Sequence, residues 1–235
     1  MLRHTVAYNN YYFTAKIYLM TTYPTGFITA YSIILKNEGG YNVATTGAGE
    51  TYMGVDRREG RNGATWAGWQ IIDAVKARGV KLGEEDYIQN VQLEELVKKY
   101  WYENYWLYAN FHMISNKQLA NMMFDFYAHK PAILLCAVRF IRLNKVEVKD
   151  IILNLDDIKA INAEPSKFYE RIFNLRIAHY NNAFANNFKN TRLRYIGTQK
   201  GVLRRANSFS PTLTDYAVNT QKKNLVQKIA RFIFS

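Results

Sequence analysis

Apolar positions along this chain recur mostly at helical spacing, with one glycine-rich interval where periodicity fades. Phe27, Tyr31, Ile34 and Leu35 mark one face of a helix running from Phe27 to about Asn37, entered through Pro24 and Gly26. Gly39 to Gly63 lacks a clear period and reads as an irregular loop or short hairpin. Within it, Thr51 to Asp56 alternates weakly, as a strand would. Further helices are predicted over Ala64–Arg78, ended by Gly79, and over Asn90–Tyr105, acidic early (Glu94, Glu95) and basic late (Lys98, Lys99). Ser115–Tyr127 and Ala132–Leu143 are apolar enough for central buried helices. After Asp156 the pattern predicts a short polar connection, then a helix from Pro165 to about Phe188 with Phe168, Ile172, Leu175, His179 and Phe184 on one stripe. Ser210-Pro211 opens a last helix bearing Lys222, Lys223, Lys228 and Arg231. The expected architecture is mostly helical, in one domain over residues 24–209, with an extension at 1–23 and a basic helix at 210–235. No internal repeat or linker breaks it.

Length and composition narrow this further. A chain of 235 residues with 49% hydrophobic and 21% charged residues can bury one substantial core. Its net charge of +12 is unevenly placed: residues 171–235 hold 12 Lys and Arg against the single acid Asp215, leaving +1 for everything before. Such asymmetry suits an anionic partner, whether a cell-wall polymer, a membrane surface or nucleic acid, or else serves solubility alone. Arg192, Arg194 and Tyr195 interleave charge with a ring, but no nucleic-acid motif accompanies them, so a nucleic-acid partner is not expected. Cys136 is alone, which excludes an intrachain disulfide, and it reads as a buried inert thiol. His4, His112, His129 and His179 show no metal-ligand spacing, and no metal or other cofactor is expected. No apolar run is long enough for a transmembrane helix. The first 23 residues lack a signal-peptide pattern, so the expectation is synthesis in the cytoplasm, with any action elsewhere following release or export by another route.

Chemistry gathers where the first helix gives way to glycine. Glu38 continues the helix's apolar face, so its carboxyl is expected either partly desolvated at the helix end, the setting that suits a general acid, or simply solvated beside a glycine cap. Gly39 and Gly40 let the chain turn sharply there. A second polar segment, Glu50-Thr51-Tyr52, follows twelve residues later, and the intervening loop is long enough to fold back. Glu50 is then either a second carboxylate or a brace accepting backbone N–H bonds; the Thr51 hydroxyl offers another way to hold an attacking water. Tyr41 and Tyr52 flank the two acids and could stack on or hydrogen-bond a sugar. Trp66, Trp69, Trp101 and Trp106 read as core rather than sugar platforms.

These segments resemble glycoside hydrolase family 108, lysozyme-like enzymes that cleave peptidoglycan. Glu38-Gly39-Gly40-Tyr41, then Gly49-Glu50-Thr51 with Gly54-Val55, carry the likeness most specifically. Tyr100-Trp101, Tyr105-Trp106, Phe124-Asp125-Phe126 and Gly201-Val202-Leu203-Arg204-Arg205 resemble later family segments, in order, over roughly residues 27–209. The chain departs from the pattern in two places. Asn42 to Gly49 lacks the family's loop aspartates, and His129-Lys130-Pro131 replaces its Asn-x-Gly.

The resemblance implies an α+β lysozyme-like fold, mainly helical, and a muramidase-type or endolysin-type glycosidase acting on peptidoglycan. Glu38 would be the proton donor, with Glu50 or Thr51 beside it and Tyr41, Tyr52, Asp125 and Tyr127 near the sugars. Asp125 could instead cap a buried helix end. Phage lysis and bacterial wall remodelling both fit this chemistry. A catalytically silent wall-binding or virion protein is the alternative.

Overall fold

The computed structural model describes residues 5–6, 22–44, 49–58, 62–145, 150–187, 203–211 and 213. The expected N-terminal extension lies almost wholly outside them, as do Gly47, Ala48, Arg192, Arg194 and Tyr195. So do Gly201 and Val202 and the cations of the expected last helix. The chain divides into two compact units, Met1–Leu107 and Tyr108–Ser235. Among the described residues the elements are mostly helical with two small sheets, and no helix there is long and apolar enough to cross a membrane.

In the first unit, α1 (Thr25–Leu35) buries Phe27, Tyr31 and Ile34 of the expected stripe together with Ala30, while Leu35 is only half-buried. Its last turn is tightened by Asn37 and Glu38 N–H groups donating to the Ile34 carbonyl (2.8 and 2.9 Å). Three antiparallel strands follow in the order β2 (Tyr41–Ala44), β3 (Gly49–Tyr52), β4 (Val55–Asp56). The expected strand over Thr51–Asp56 is thus a tight hairpin. Pairing of Tyr52 with Val55 leaves a two-residue loop, Met53-Gly54, both with positive φ (48° and 79°). That is a type I′ turn, whose twist matches the strands it joins.

α2 (Gly68–Ala77) starts four residues later than its apolar pattern predicts. The Gly63 carbonyl draws in the Trp66 N–H and the Trp69 indole N–H, folding the intervening residues into turns. β5 (Tyr87–Ile88) pairs in parallel with β1 (Thr5–Val6). α3 (Val91–Trp101) is capped by the Asn90 side chain, which accepts from Leu93 N–H, and it continues as a π-helical turn over Tyr102–Leu107. All four tryptophans belong to this unit and are buried, as expected.

In the second unit, α4 (Lys117–His129), capped by Asn116, presents a run of nine buried residues from Leu119 to Tyr127. It packs on α5 (Pro131–Leu143) and α7 (Pro165–Asn187). Pro131 occupies the first turn of α5, so His129-Lys130-Pro131 is a helix boundary. The stretch expected as a polar connection contains α6 (Leu155–Ala163). A capping box between Asn154 and Asp157 starts it, and buried Ile158 and Ile161 seat it against α5 and α7. A short helical turn covers 203–207.

Candidate active site

The end of α1 and the β3–β4 turn come together around Glu38. Its side chain is half-buried. A Cβ placed on Gly54 would stand 3.1 Å from Glu38 Oε2, 3.2 Å from Glu38 Cγ and 2.6 Å from Trp101 Cζ2. The carboxylate therefore lies directly over the turn, sharing that space with the Trp101 ring. The turn is fixed in place: Trp101 Nε1 donates to the Met53 carbonyl (3.0 Å), and Met53 N–H donates to the Gly40 carbonyl (3.2 Å). Glycine at 54 answers two demands, a positive φ and the absence of a side chain beneath a carboxylate and an indole. Trp101 lies in the core, as its sequence pattern predicts, and the same ring also walls the Glu38 carboxylate, a role no local sequence signal marks.

Glu50 sits at a different kind of place. Lys76 and Arg57 form ion pairs with its two oxygens, Arg57 at 2.5 Å, and the Tyr41 hydroxyl donates to it at 2.5 Å. Arg57 also grips Asp73 in a two-point contact (2.7 and 2.6 Å), so β3 is tied to α2 through a charged cluster. Burial alone would raise the Glu50 carboxyl, but the hydrogen bonds from Lys76, Tyr41 and Arg57 outweigh it and hold the group below the usual carboxylate range. A carboxylate held ionised by three donors is a brace for the hairpin. Tyr41 follows it: its ring is buried, and burial together with the bond to Glu50 pushes its phenol up.

Strand alternation separates the remaining candidates. Tyr41 pairs with Tyr52 and Val43 with Glu50, which places all four on one face of the hairpin. Thr51 pairs with Asn42 and with Asp56, so these three half-buried polar residues line the opposite, more open face. Glu50 and Thr51 are adjacent in sequence and point to opposite sides. Tyr52 is 1% exposed, its hydroxyl accepts from Ile88 N–H (3.2 Å), and burial pushes its phenol up to about 12. Its ring is a piece of core stacked on Trp66.

Asp125 and Tyr127 belong to the second unit and are both fully buried. Asp125 is clasped by Arg176 and Arg205, the latter at 2.8 Å, and the Tyr127 hydroxyl donates to the Ile151 carbonyl (2.7 Å). Neither offers a polar atom to a ligand in this conformation. The reason is local: α4 is enclosed on all sides of this stretch, so its acid pairs internally. The same pairing alters the charge reading, since Arg176 and Arg205 are two of the twelve cations counted after residue 170, and both are buried. Cys136 is half-buried, and burial pushes its thiol up, away from a nucleophile's range. Among the described residues, no group of three His, Cys, Asp or Glu could hold a metal ion.

Residues 31–130 match the family model described as Glycosyl hydrolase 108. The match begins within α1 and spans Glu38, the hairpin, α2, α3 and all of α4. No curated protein and no solved structure matches the chain.

Proposed function

We propose that this chain, which belongs to glycosyl hydrolase family 108 through residues 31–130 and is thereby a glycosidase, hydrolyses the N-acetylmuramic acid–N-acetylglucosamine backbone of peptidoglycan. Glu38 is the proton donor to the leaving oxygen. The observation that carries this reading is the Glu38 carboxylate seated over the Met53-Gly54 turn beside Trp101, half in and half out of solvent, inside the matched segment. Glycosidic cleavage needs such an acid, held on rigid elements and shielded on one side by apolar surface. Helix end, tight turn and indole supply that rigidity. The charged cluster around Glu50 keeps the hairpin at its register against α2, and so keeps the turn under the acid. Thr51, on the open face, contributes a hydroxyl toward solvent.

Incubation of the full chain with purified peptidoglycan, followed by mass analysis of the soluble fragments, tests the reading. Muramidase action gives fragments ending in reducing N-acetylmuramic acid. Ends in reducing N-acetylglucosamine, or fragments cut only in the peptide, would contradict it.

A further inference from the structure

Gly39 and Gly40 lack side chains because another part of the chain fills that space. A Cβ on Gly40 would stand 2.7 Å from the Glu85 carbonyl oxygen, and one on Gly39 would stand 2.8 Å from Glu85 Oε2. The segment Gly83–Ile88 is seated there by paired backbone bonds: Tyr41 N–H donates to the Asp86 carbonyl (2.8 Å), and Glu85 N–H donates to the Tyr41 carbonyl (2.9 Å). The Tyr87 hydroxyl reaches the Glu38 carbonyl (3.4 Å), and Asp86 closes the loop by accepting from Gly83 N–H (2.7 Å). The Gly-Gly step after Glu38 is thus a docking place for a second wall, and Glu85 is that wall's carboxylate.

Three features separate Glu85 from the other acids near Glu38. Its carboxylate lies within about 8 Å of the Glu38 Cα, taking the 2.8 Å approach with one C–C bond and one Cα–Cα step. It is exposed, and among the described residues no hydrogen bond or ion pair engages its side chain. Its backbone occupies the left-handed region (φ 66°), which is uncommon for glutamate and fixes the direction in which the side chain leaves the loop. By contrast, Glu50 is held by three donors, and Asp56 accepts from Arg58 N–H (2.8 Å).

The geometry points to Glu85 as the second catalytic carboxylate, the base that takes a proton from the attacking water. This rests on the reading of Glu38 as the acid. In the step, the Glu38 proton passes to the glycosidic oxygen as the bond to the anomeric carbon breaks, and the electron pair stays on the leaving oxygen. Water oxygen bonds to the anomeric carbon from the other side, and its proton passes to Glu85. One water is consumed, and exchange with solvent returns both carboxyls to their starting states. The anomeric configuration is inverted.

The test uses the full chain with purified peptidoglycan, comparing wild type, Glu38→Gln, Glu85→Gln and Glu85→Ala. Because Glu85 is exposed, its variants should melt with the wild type. Glu85→Gln should lose about a hundredfold in kcat with KM nearly unchanged. Sodium azide, a small anion that needs no base, should restore Glu85→Ala roughly tenfold or more, giving a glycosyl azide of inverted configuration. It should leave Glu38→Gln inactive. Wild-type rates in both Glu85 variants, a rate loss that azide does not relieve, or retained configuration in the wild-type product would each overturn the assignment while leaving Glu38 in place. An inactive wild type would instead overturn the underlying reading, and this one with it.

Discussion

Replacing Gly54 with alanine tests whether the acid truly rests on the hairpin turn. At φ 79° an L-residue costs roughly 1–2 kcal/mol relative to glycine. The added methyl would also stand 2.6 Å from Trp101 Cζ2 and 3.1 Å from Glu38 Oε2, so ring, turn or carboxylate must give way. Overpacking of this size in a well-filled place costs about 1–3 kcal/mol. Together the two terms amount to about 2–5 kcal/mol, or a fall in Tm of roughly 5–15 °C for a chain of this length. Activity should suffer more than stability suggests, because a shift of the acid by about 1 Å can cost on the order of a hundredfold. Far-ultraviolet melts give the first number. Fragment release from peptidoglycan, measured well below the new Tm, gives the second. A variant that melts and cleaves like the wild type would show that Glu38 and Trp101 do not meet over this turn.

Other consequences are independent of that one. Glu50→Gln should cost about 1–3 kcal/mol, since it removes the charge that Lys76 and Arg57 face, while specific activity of the folded variant stays within about tenfold. Because the folded Glu50 carboxyl lies below its ordinary value of 4.5, its stabilisation is present above that pH and is lost as pH falls through the lower folded value. Urea midpoints between pH 3 and 7, as an approximate working range, should therefore fall less steeply at the acid end in Glu50→Gln than in wild type. His179 loses stability in the same direction for a different reason: burial, with Lys130 nearby, holds its imidazole down to about 4 from 6.5. Between those values the unfolded chain takes up a proton that the folded chain refuses, so stability drops on the order of 2–3 kcal/mol as pH falls through that window. The same titration on His179→Phe should be flatter there. Asp125→Asn leaves Arg176 and Arg205 buried without their counter-charge and should cost about 3–5 kcal/mol. A substrate-contact role for Asp125 would instead lower activity without moving the melt.

Helices were legible because their apolar stripes are long: α1, α3, α4, α5 and α7 lie within a few residues of their predicted places. α6 was not, because Asp156, Asp157 and Lys159 make its sequence polar, although Asp157 is buried in the fold, and only Ile158 and Ile161 mark its inner face. The Asn154/Asp157 capping box was the available signal. The hairpin was half legible, since Met53-Gly54 is a turn in which methionine takes a conformation that favours glycine or asparagine. The half-buried position of Glu38 just past α1 was legible from the end of an apolar face followed by two glycines. Glu50 could not be placed, because the partners that fix it, Lys76 and Arg57, lie on other elements. Asp125 and Tyr127 were candidates only through the family resemblance, and the internal role left open for Asp125 had no local signal, because its partners Arg176 and Arg205 lie 51 and 80 residues away. Gly39 and Gly40 signal freedom to turn in the sequence, and in the fold Glu85 and Asp86 also occupy the space their side chains would need.

The most direct measurement is the rate of peptidoglycan cleavage by Glu38→Gln against wild type, with fragment masses from both and a melt of each. Glutamine keeps the volume over the Met53-Gly54 turn but has no acid proton to give. The expected result is an unchanged melt and a loss of at least about a hundredfold in fragment release, with wild-type fragments ending in reducing N-acetylmuramic acid. A folded Glu38→Gln that releases those fragments at the wild-type rate would contradict the account at its centre.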